Sequence, residues 1–407
     1  MTAITDTQPD EGFRLSQLIY DTRYRSLTIQ IIALILVLSG LGWLIRNAVR
    51  NLEAAGQDFN FGFLSNTSGY DIGQHLIEYS SQSTHLDATI VGLLNTLLVA
   101  VLGCIACTII GVFMGVLRLS PNWIVRNIAR VYVEVFRNVP TLLWIILVFA
   151  VLTESTPAPR AFRGEDPAAS MLFFDSVAIT NRGIYVPAIT FEEGTATILT
   201  IVFLLSLVAI WGVRRWAKAR QAATGETFPV LWTGLALFFV PVLLVNFILG
   251  GAMGLERPEL AGFNFSGGVQ LRSTFIALWL ALSLYTGAFV AENVRAGILA
   301  VSKGQTEAAA SLGLRPNRIM NLVVLPQALR VIVPPMISNY LNLTKNSSLA
   351  IAIGYQDLVG TLGNITRNQT GREMETVLLL MLIYVTISLT ISFFGNLYNR
   401  SVTLKER

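Results

Sequence analysis

The chain has 407 residues, of which 53% are hydrophobic and 13% are charged. Soluble domains carry about 25% charged residues, so this composition excludes an ordinary soluble protein and indicates a chain embedded in membrane lipid. The net charge of +4 is small, and no basic block typical of nucleic-acid binding is present. The two cysteines, Cys104 and Cys107, lie three residues apart in one apolar run, which predicts packing residues rather than a disulfide or redox pair.

Eight apolar segments are predicted to cross the bilayer, which requires about 20 residues of helix. The first is expected to be retained, because it lacks the short apolar region and cleavage site of a signal peptide. The predicted spans are residues 27–45, 88–117, 139–152 with the preceding turn, 195–213, 230–251, 274–291, 329–353 and 377–397.

The basic residues that flank these spans predict the orientation of the chain. Segments on one side carry roughly twice as many Lys and Arg residues as segments on the other, and the richer side is expected to be cytoplasmic. Both termini then lie in the cytoplasm, whereas the long polar segments 46–87 and 153–194 lie outside. His75 and His85 fall in the first of these segments and are expected to be solvated rather than metal-bound.

Two features near the second span concern packing. Residues 123–138 predict an amphipathic helix at the membrane surface, because Ile124, Ile128, Val131 and Val135 recur at helical spacing. Gly111 and Gly115 form a GxxxG pair within the span, which permits either general close helix packing or a specific dimer contact.

The seventh predicted span carries unusual residues for its depth. Pro334 and Pro335 remove two backbone donors and are expected to break or kink the helix. Polar groups in a span are costly unless they face protein or a water-filled path, so the polar run that follows is predicted to line the translocation path. An alternative is that the lysine of this run only anchors the helix at the interface. The predicted path residues are Asn342, Thr344, Lys345, Asn346 and Ser347.

The polar segment between the sixth and seventh spans predicts a helix, a turn and a second helix. The run from Glu307 to Ala310 favours helix, Gly313 stands where a helix C-terminus favours positive φ, and Pro316 suits a first helical turn. Just before this segment, Glu292 and Arg295 are spaced to form an ion pair on one helix face.

This segment resembles the EAA loop of bacterial ABC-importer permease subunits, specifically those of the polar amino-acid (histidine and general L-amino-acid) family. The match comprises Glu307-Ala308-Ala309, Gly313 four residues later and the closing pair Leu325-Pro326, which gives an EAA loop over residues 304–326. Residues 132–140 and 344–350 are similar to the same family.

The resemblance implies an all-α membrane protein with a type I importer permease core. It implies that Glu307, Ala308, Ala309, Gly313, Leu325 and Pro326 couple to a separate ABC ATPase subunit. Further implied partners are a second permease subunit, identical or homologous, a periplasmic solute-binding protein and a polar L-amino-acid substrate in the bacterial inner membrane.

The resemblance also predicts how the chain is divided. Residues 1–87 would precede the core with a cytoplasmic N-terminus, one span and a periplasmic loop, and residues 88–152 would form the first part of the core. Residues 153–264 would be an insertion with a periplasmic loop and two extra spans, of open role or simply lipid-facing bulk. Residues 265–407 would complete the core.

Two other classes of function are less compatible with the sequence. The chain has no P-loop motif, so ATP hydrolysis is expected on a separate chain, and no catalytic or cofactor motif is found. An ion-coupled secondary transporter is expected to carry acidic residues within its spans, and none lies clearly inside a predicted one. A membrane-embedded enzyme would need a nucleophile or metal set there. Both alternatives leave the EAA loop unexplained.

Overall fold

The protein is described by a computed structural model that covers residues 22–54, 58–164, 166–192, 194–251 and 253–402. The predicted cytoplasmic segment 1–21 and the basic residues Lys405 and Arg407 lie outside these ranges. The chain divides into two compact units, Met1–Leu64 and Ser65–Arg407. The first unit contains helix α1 (Thr22–Ala54), whose apolar side chains from Leu27 to Ile45 are exposed along its length.

The second unit is mainly helical. Its longer helices are α2 (His85–Leu117), α3 (Trp123–Asn138), α4 (Thr141–Ser155), α5 (Thr195–Thr224), α6 (Val230–Ile248), α7 (Ser273–Leu299), α8 (Lys303–Ser311), α10 (Leu325–Asn346) and α12 (Glu373–Val402). The short helices α9 (Pro316–Ile319) and α11 (Arg367–Thr370) complete the set. In the described part of the chain, 8 helices are long and apolar enough to cross a membrane, and each contains or overlaps one of the predicted spans.

Short strands also occur in the segments that link α4 to α5 and α6 to α7, where no strand was predicted. Strands β1 (Ala178–Thr180), β2 (Gly183–Val186) and β7 (Val269–Arg272) form one antiparallel sheet in the order β1-β2-β7. Two strand pairs accompany it, β3 (Ala188–Phe191) with β4 (Met253–Glu256), and β5 (Glu259–Ala261) with β6 (Asn264–Ser266). Strands of three or four residues are too short to show an alternating pattern. In the pairs β2–β7 and β3–β4, moreover, the two strands are far apart in the sequence.

Helix α7 is the centre of the core, and α2 packs along it. Gly111 and Gly115 make this possible, because a methyl group on Gly111 would lie 2.4 Å from the Val290 side chain and one on Gly115 would lie 2.8 Å from the Ala291 carbonyl oxygen. The GxxxG pair is therefore a close helix contact within the chain. The apolar cluster around it includes Val99, Leu278, Leu282, Ile332 and Leu343.

The two helices of the predicted insertion, α5 and α6, form a hairpin. Each of them has extensive contacts with the other and with no other described element. Helix α6 has no buried residue, and α5 buries only Leu199, Ser206 and Ala217. Their remaining apolar surface is suited to contact with lipid.

One expectation from the sequence is wrong, and a break that it allowed at a second place is absent. His85 is not a solvated loop residue: it is buried at the start of α2, three residues before the predicted span, with its Nδ1 atom 3.1 Å from the Thr366 hydroxyl. The helix begins earlier because Thr84 and Asp87 form a capping box. The pair Pro334-Pro335 does not break α10, which continues to Asn346 and gives way to a 3₁₀ turn, Ser347–Ile353. Neighbouring groups in a helical bundle can accommodate such prolines.

Candidate functional site

The turn of the EAA loop is a Schellman motif that ends α8. The Gly313 N–H donates to the Ala310 carbonyl at 2.9 Å and the Leu314 N–H donates to the Ala309 carbonyl at 3.4 Å. Gly313 has a φ of 76°, which a residue with a side chain adopts only at a cost. The local conformation that the sequence predicted at this glycine is confirmed.

The chain then turns into the long helical run that ends at Asn346. Pro316 occupies the first turn of α9, as predicted, where its missing N–H is not needed. Residues Met320–Val324 form a π turn directly before Leu325 and Pro326, which begin α10. Pro326 has no N–H to donate to a regular helical hydrogen bond, which favours an irregular turn before it. The π turn at Met320–Val324 lies directly before this proline.

The EAA loop offers an exposed surface on a short, supported frame. Glu307 and Ala308 are exposed, and the Leu312 side chain is 81% exposed at the turn. Ala309 is buried, Leu325 is half-buried and Pro326 is exposed. An exposed leucine beside a carboxylate at the tip of a helical turn is a surface suited to docking rather than to catalysis.

At the same end of α7, one carboxylate joins three elements. The Glu292 carboxylate accepts hydrogen bonds from Arg295, at 2.6 Å, and from Arg118, which directly follows α2. Arg137 of α3 lies 4.0 Å away from the same carboxylate. The predicted Glu292–Arg295 pair is confirmed, whereas the contacts of Arg118 and Arg137 with Glu292 could not be predicted from the sequence. Glu292 lies in α7 one residue beyond the predicted end of the sixth span, and these arginines balance its charge.

Helix α3 braces this end of the core, and its predicted boundaries are confirmed. Ala129 and Val133 are buried, and the Tyr132 hydroxyl donates to the Leu284 carbonyl of α7 at 2.6 Å. Burial raises the pKa of Tyr132, so its phenol stays neutral. The apolar positions that suggested a membrane-surface helix are exposed on its other face, namely Ile124, Ile128, Val131 and Val135.

The predicted path residues of α10 lie on two faces of the helix. Thr344 and Ser347 are buried, and their hydroxyls donate to the carbonyls of Tyr340 and Thr344 at 2.8 Å. Asn342 and Lys345 are exposed on the outer surface of the chain, and Asn346 is half-buried between the two faces. Ser338, one turn before Asn342, continues the exposed polar stripe.

A buried acid lies beyond the 3₁₀ turn, in the segment that connects α10 to α12. Asp357 is fully buried and its Oδ1 atom accepts a hydrogen bond from the Gly360 N–H at 2.8 Å. Burial raises the pKa of this carboxyl to about 7, because the charged form loses its hydration. Asp357 was not predicted as a functional residue, because an isolated aspartate in a polar stretch carries no signal of burial.

One family model and several known proteins are similar to this chain. Residues 212–404 match the family model described as the inner membrane component of binding-protein-dependent transport systems. A crystal structure of an amino-acid ABC transporter with histidines aligns at 21% identity and a TM-score of 0.45, over 78% of this chain and 95% of that one.

Two curated relatives match over nearly their whole length. The glutamate/glutamine/aspartate/asparagine transport system permease protein BztB of Rhodobacter capsulatus is 56% identical over 100% of both chains. The general L-amino acid transport system permease protein AapQ of Rhizobium johnstonii is 43% identical, over 99% of this chain and 98% of that protein. The chain therefore belongs to the inner membrane components of binding-protein-dependent transport systems, and among them to the permease subunits of amino-acid ABC transporters.

Proposed function

We propose that this chain is one of two permease subunits of an ATP-driven importer for polar amino acids. Two separate ATPase subunits bind, one at the EAA loop of each permease subunit. A solute-binding protein delivers the amino acid at the opposite end of the core. The names of the relatives BztB and AapQ support amino acids as the substrate class, and the BztB name favours acidic amino acids and their amides.

The observation that carries this proposal is the exposed EAA loop on a braced frame. The exposed side chains Glu307 and Leu312 stand at the end of a turn that a Schellman motif fixes. The arginine cluster of Glu292 ties the adjacent helix α7 to α2 and α3. A displacement applied to the loop therefore reaches several core helices together, as an ATPase that closes and opens would require.

The exposed polar stripe of α10 supports a second permease subunit and a path between the two. Ser338, Asn342 and Lys345 are too polar to face hydrocarbon at low cost, so their exposure in a single chain indicates a protein neighbour or water. Pairing two copies or homologues along α10 would place these residues beside a shared path. Thr344 and Ser347 then act as packing residues behind it, with Asn346 between the two faces.

Orientation follows from charge. The excess of basic residues on the side of the EAA loop favours that side as cytoplasmic, with both termini on it. The ATPase would then meet the loop in the cytoplasm, where ATP is available.

The proposal is tested by purifying the chain from its native membrane in mild detergent and identifying the proteins that accompany it. The complex is then reconstituted with its solute-binding protein, and uptake of radiolabelled glutamate and glutamine is measured with and without internal ATP. We expect a P-loop ATPase in the complex and uptake that requires ATP and persists after ion gradients are collapsed. Uptake driven by an ion gradient alone, with no ATPase present, would refute the proposal in favour of a secondary transporter.

A further inference from the structure

A cavity lined mainly by polar residues lies at one end of the core, beside the short strands. It has a volume of about 410 Å³ and lies where the β1–β2 turn, β6 and β7 meet the first turn of α7, the N-terminal half of α2, the end of α4 and the segment after the 3₁₀ turn. Helix α7 has 27 residues, so this end lies about 40 Å away from the EAA end. We call this cavity the strand chamber.

Two arginines, one on either side of α5 and α6 in the chain, bring positive charge to the strand chamber. Arg182 stands at the turn between β1 and β2, and Arg272 ends β7, where it pairs in register with Gly183. Residues that are 90 positions apart are thereby placed side by side by the sheet. No acidic side chain lines the chamber in the described part of the chain, so the pair of guanidinium groups gives it a positive potential.

Arg272 has a prepared position. A methyl group on Gly73 would lie 1.8 Å from the Arg272 Cζ atom, so the guanidinium rests directly on the backbone of this glycine. The Gly73 segment is itself held, because the Gly73 N–H donates to the Gln356 side chain at 3.1 Å. An added Cβ at Gly73 would force the guanidinium, which is the far end of a flexible side chain, to move from this position.

The strand chamber also offers hydrogen-bond acceptors. Asn95 is fully buried, and its amide nitrogen donates to the carbonyls of Gln74 and Gln356 at 2.8 and 2.9 Å. These two bonds fix the orientation of the amide, and its Oδ1 atom has no partner among the described residues. The side-chain oxygens of Gln74 and Asn181, which also line the chamber, are likewise buried and without a partner there.

We propose that the strand chamber is a binding site for a free amino acid and that it selects those with an anionic side chain. The α-ammonium group is a donor suited to the unpartnered side-chain oxygens in the wall of the chamber, first of all that of Asn95. The carboxylates bind Arg182 and Arg272 through charge-assisted hydrogen bonds. This assignment rests on the proposed amino-acid transport and gives the short strands a role, as walls of a site that receives the amino acid before the path opens.

The chemistry of the strand chamber makes its selectivity testable. A cationic amino acid would place a third positive charge between two arginines, and a dicarboxylate without an ammonium group would leave the buried acceptors unpaired. Glutamate and aspartate satisfy both sets of groups. Glutamine satisfies the acceptors but leaves one arginine without a charged partner.

The test is equilibrium binding of radiolabelled glutamate to the purified full-length chain in detergent. Arg272→Gln removes one cation, and Gly73→Ala displaces the Arg272 guanidinium while keeping the charge. Arg257→Gln is the matched control, because this exposed arginine lies between the strands β4 and β5 and does not line the chamber. We expect Arg272→Gln and Gly73→Ala to weaken glutamate binding at least about tenfold, as befits a lost charge-assisted bond, and Arg257→Gln to change it less than twofold. Glutarate and arginine should compete at least about tenfold less well than unlabelled glutamate.

Equal affinity in the Arg272→Gln and Arg257→Gln proteins, or no saturable glutamate binding to the unaltered chain, would overturn the assignment. A loss of uptake in the reconstituted importer without a loss of glutamate binding would instead assign the chamber to docking of the solute-binding protein, and would overturn it too. Uptake by the unaltered complex, measured in parallel, separates the two proposals. If ATP-driven uptake is intact and chamber binding is absent, this inference alone fails, whereas absence of ATP-driven uptake refutes the proposed function itself.

Discussion

Gly313→Val is expected to uncouple ATP hydrolysis from transport without unfolding the membrane core. The φ of 76° places Gly313 in the left-handed region, and no heavy atom lies within 4 Å of an added Cβ. The cost is therefore in the backbone, about 1–2 kcal/mol for a residue with a side chain, and a β-branched residue is expected near the upper value. A backbone cost of about 2 kcal/mol lowers the population of the turn at Gly313 about thirtyfold relative to other conformations of the loop.

The matched control is Gly304→Val, in the first turn of α8. An added Cβ at Gly304 also meets no atom within 4 Å, but this residue has an ordinary helical backbone, so the same side chain costs little there. ATP-driven uptake and stimulation of ATPase activity by the liganded binding protein are measured in proteoliposomes, with thermal unfolding of each protein as a check. We expect Gly313→Val to lose most coupling at an unchanged melting temperature and Gly304→Val to retain it. Equal coupling in both variants would refute the role of the turn.

Three further changes test separate parts of the chain. Lys345→Ala should lower uptake in proteoliposomes while the ATPase stays bound, whereas Lys218→Ala in α5 should not; equal uptake in the two would remove Lys345 from the path. Glu292→Gln leaves Arg118, whose side chain is 10% exposed, without its charged partner, and should cost about 2 kcal/mol of stability; an unchanged melting temperature in detergent would contradict this. The pKa of Asp357 is raised from 3.8 to about 7, so its contribution to stability is present below about pH 4 and is lost as the pH rises to 7. Asp357→Asn should flatten the dependence of the melting temperature on pH across that window, and an unaltered dependence would assign it to other groups.

The spans and the EAA loop could be predicted because their signals are local. A run of about 20 apolar residues has one common solution in a bilayer, and a Gly after a helix-forming run predicts the C-terminal turn at Gly313. The path residues on α10 were harder to interpret. Composition identified a polar run but not which of its residues are exposed. Asn342 and Lys345 lie on the exposed face and Thr344 and Ser347 on the buried face, and this division depends on which side of the helix packs against the core.

The remaining features depend on contacts between distant residues. Arg118 and Glu292 are 174 positions apart, and only the packing of α2 against α7 brings them together. Arg182 and Arg272 are brought together by the pairing of β2 with β7. Strands of three or four residues are too short for this pairing to be predicted from the sequence. His85 resembled a loop residue because its burial depends on Thr366, which is 281 positions away.

The hairpin of α5 and α6 has a consequence for how such a chain can be assembled and altered. It leaves and rejoins the protein through the ribbon of β3 and β4, in which Phe191 lies opposite Met253. Both ends of the hairpin thus meet at one place, as the ends of a grafted domain do. We therefore expect that residues 195–248 can be replaced by a tight turn that leaves the ribbon paired. Removing an even number of crossings would keep every later segment on its own side of the membrane.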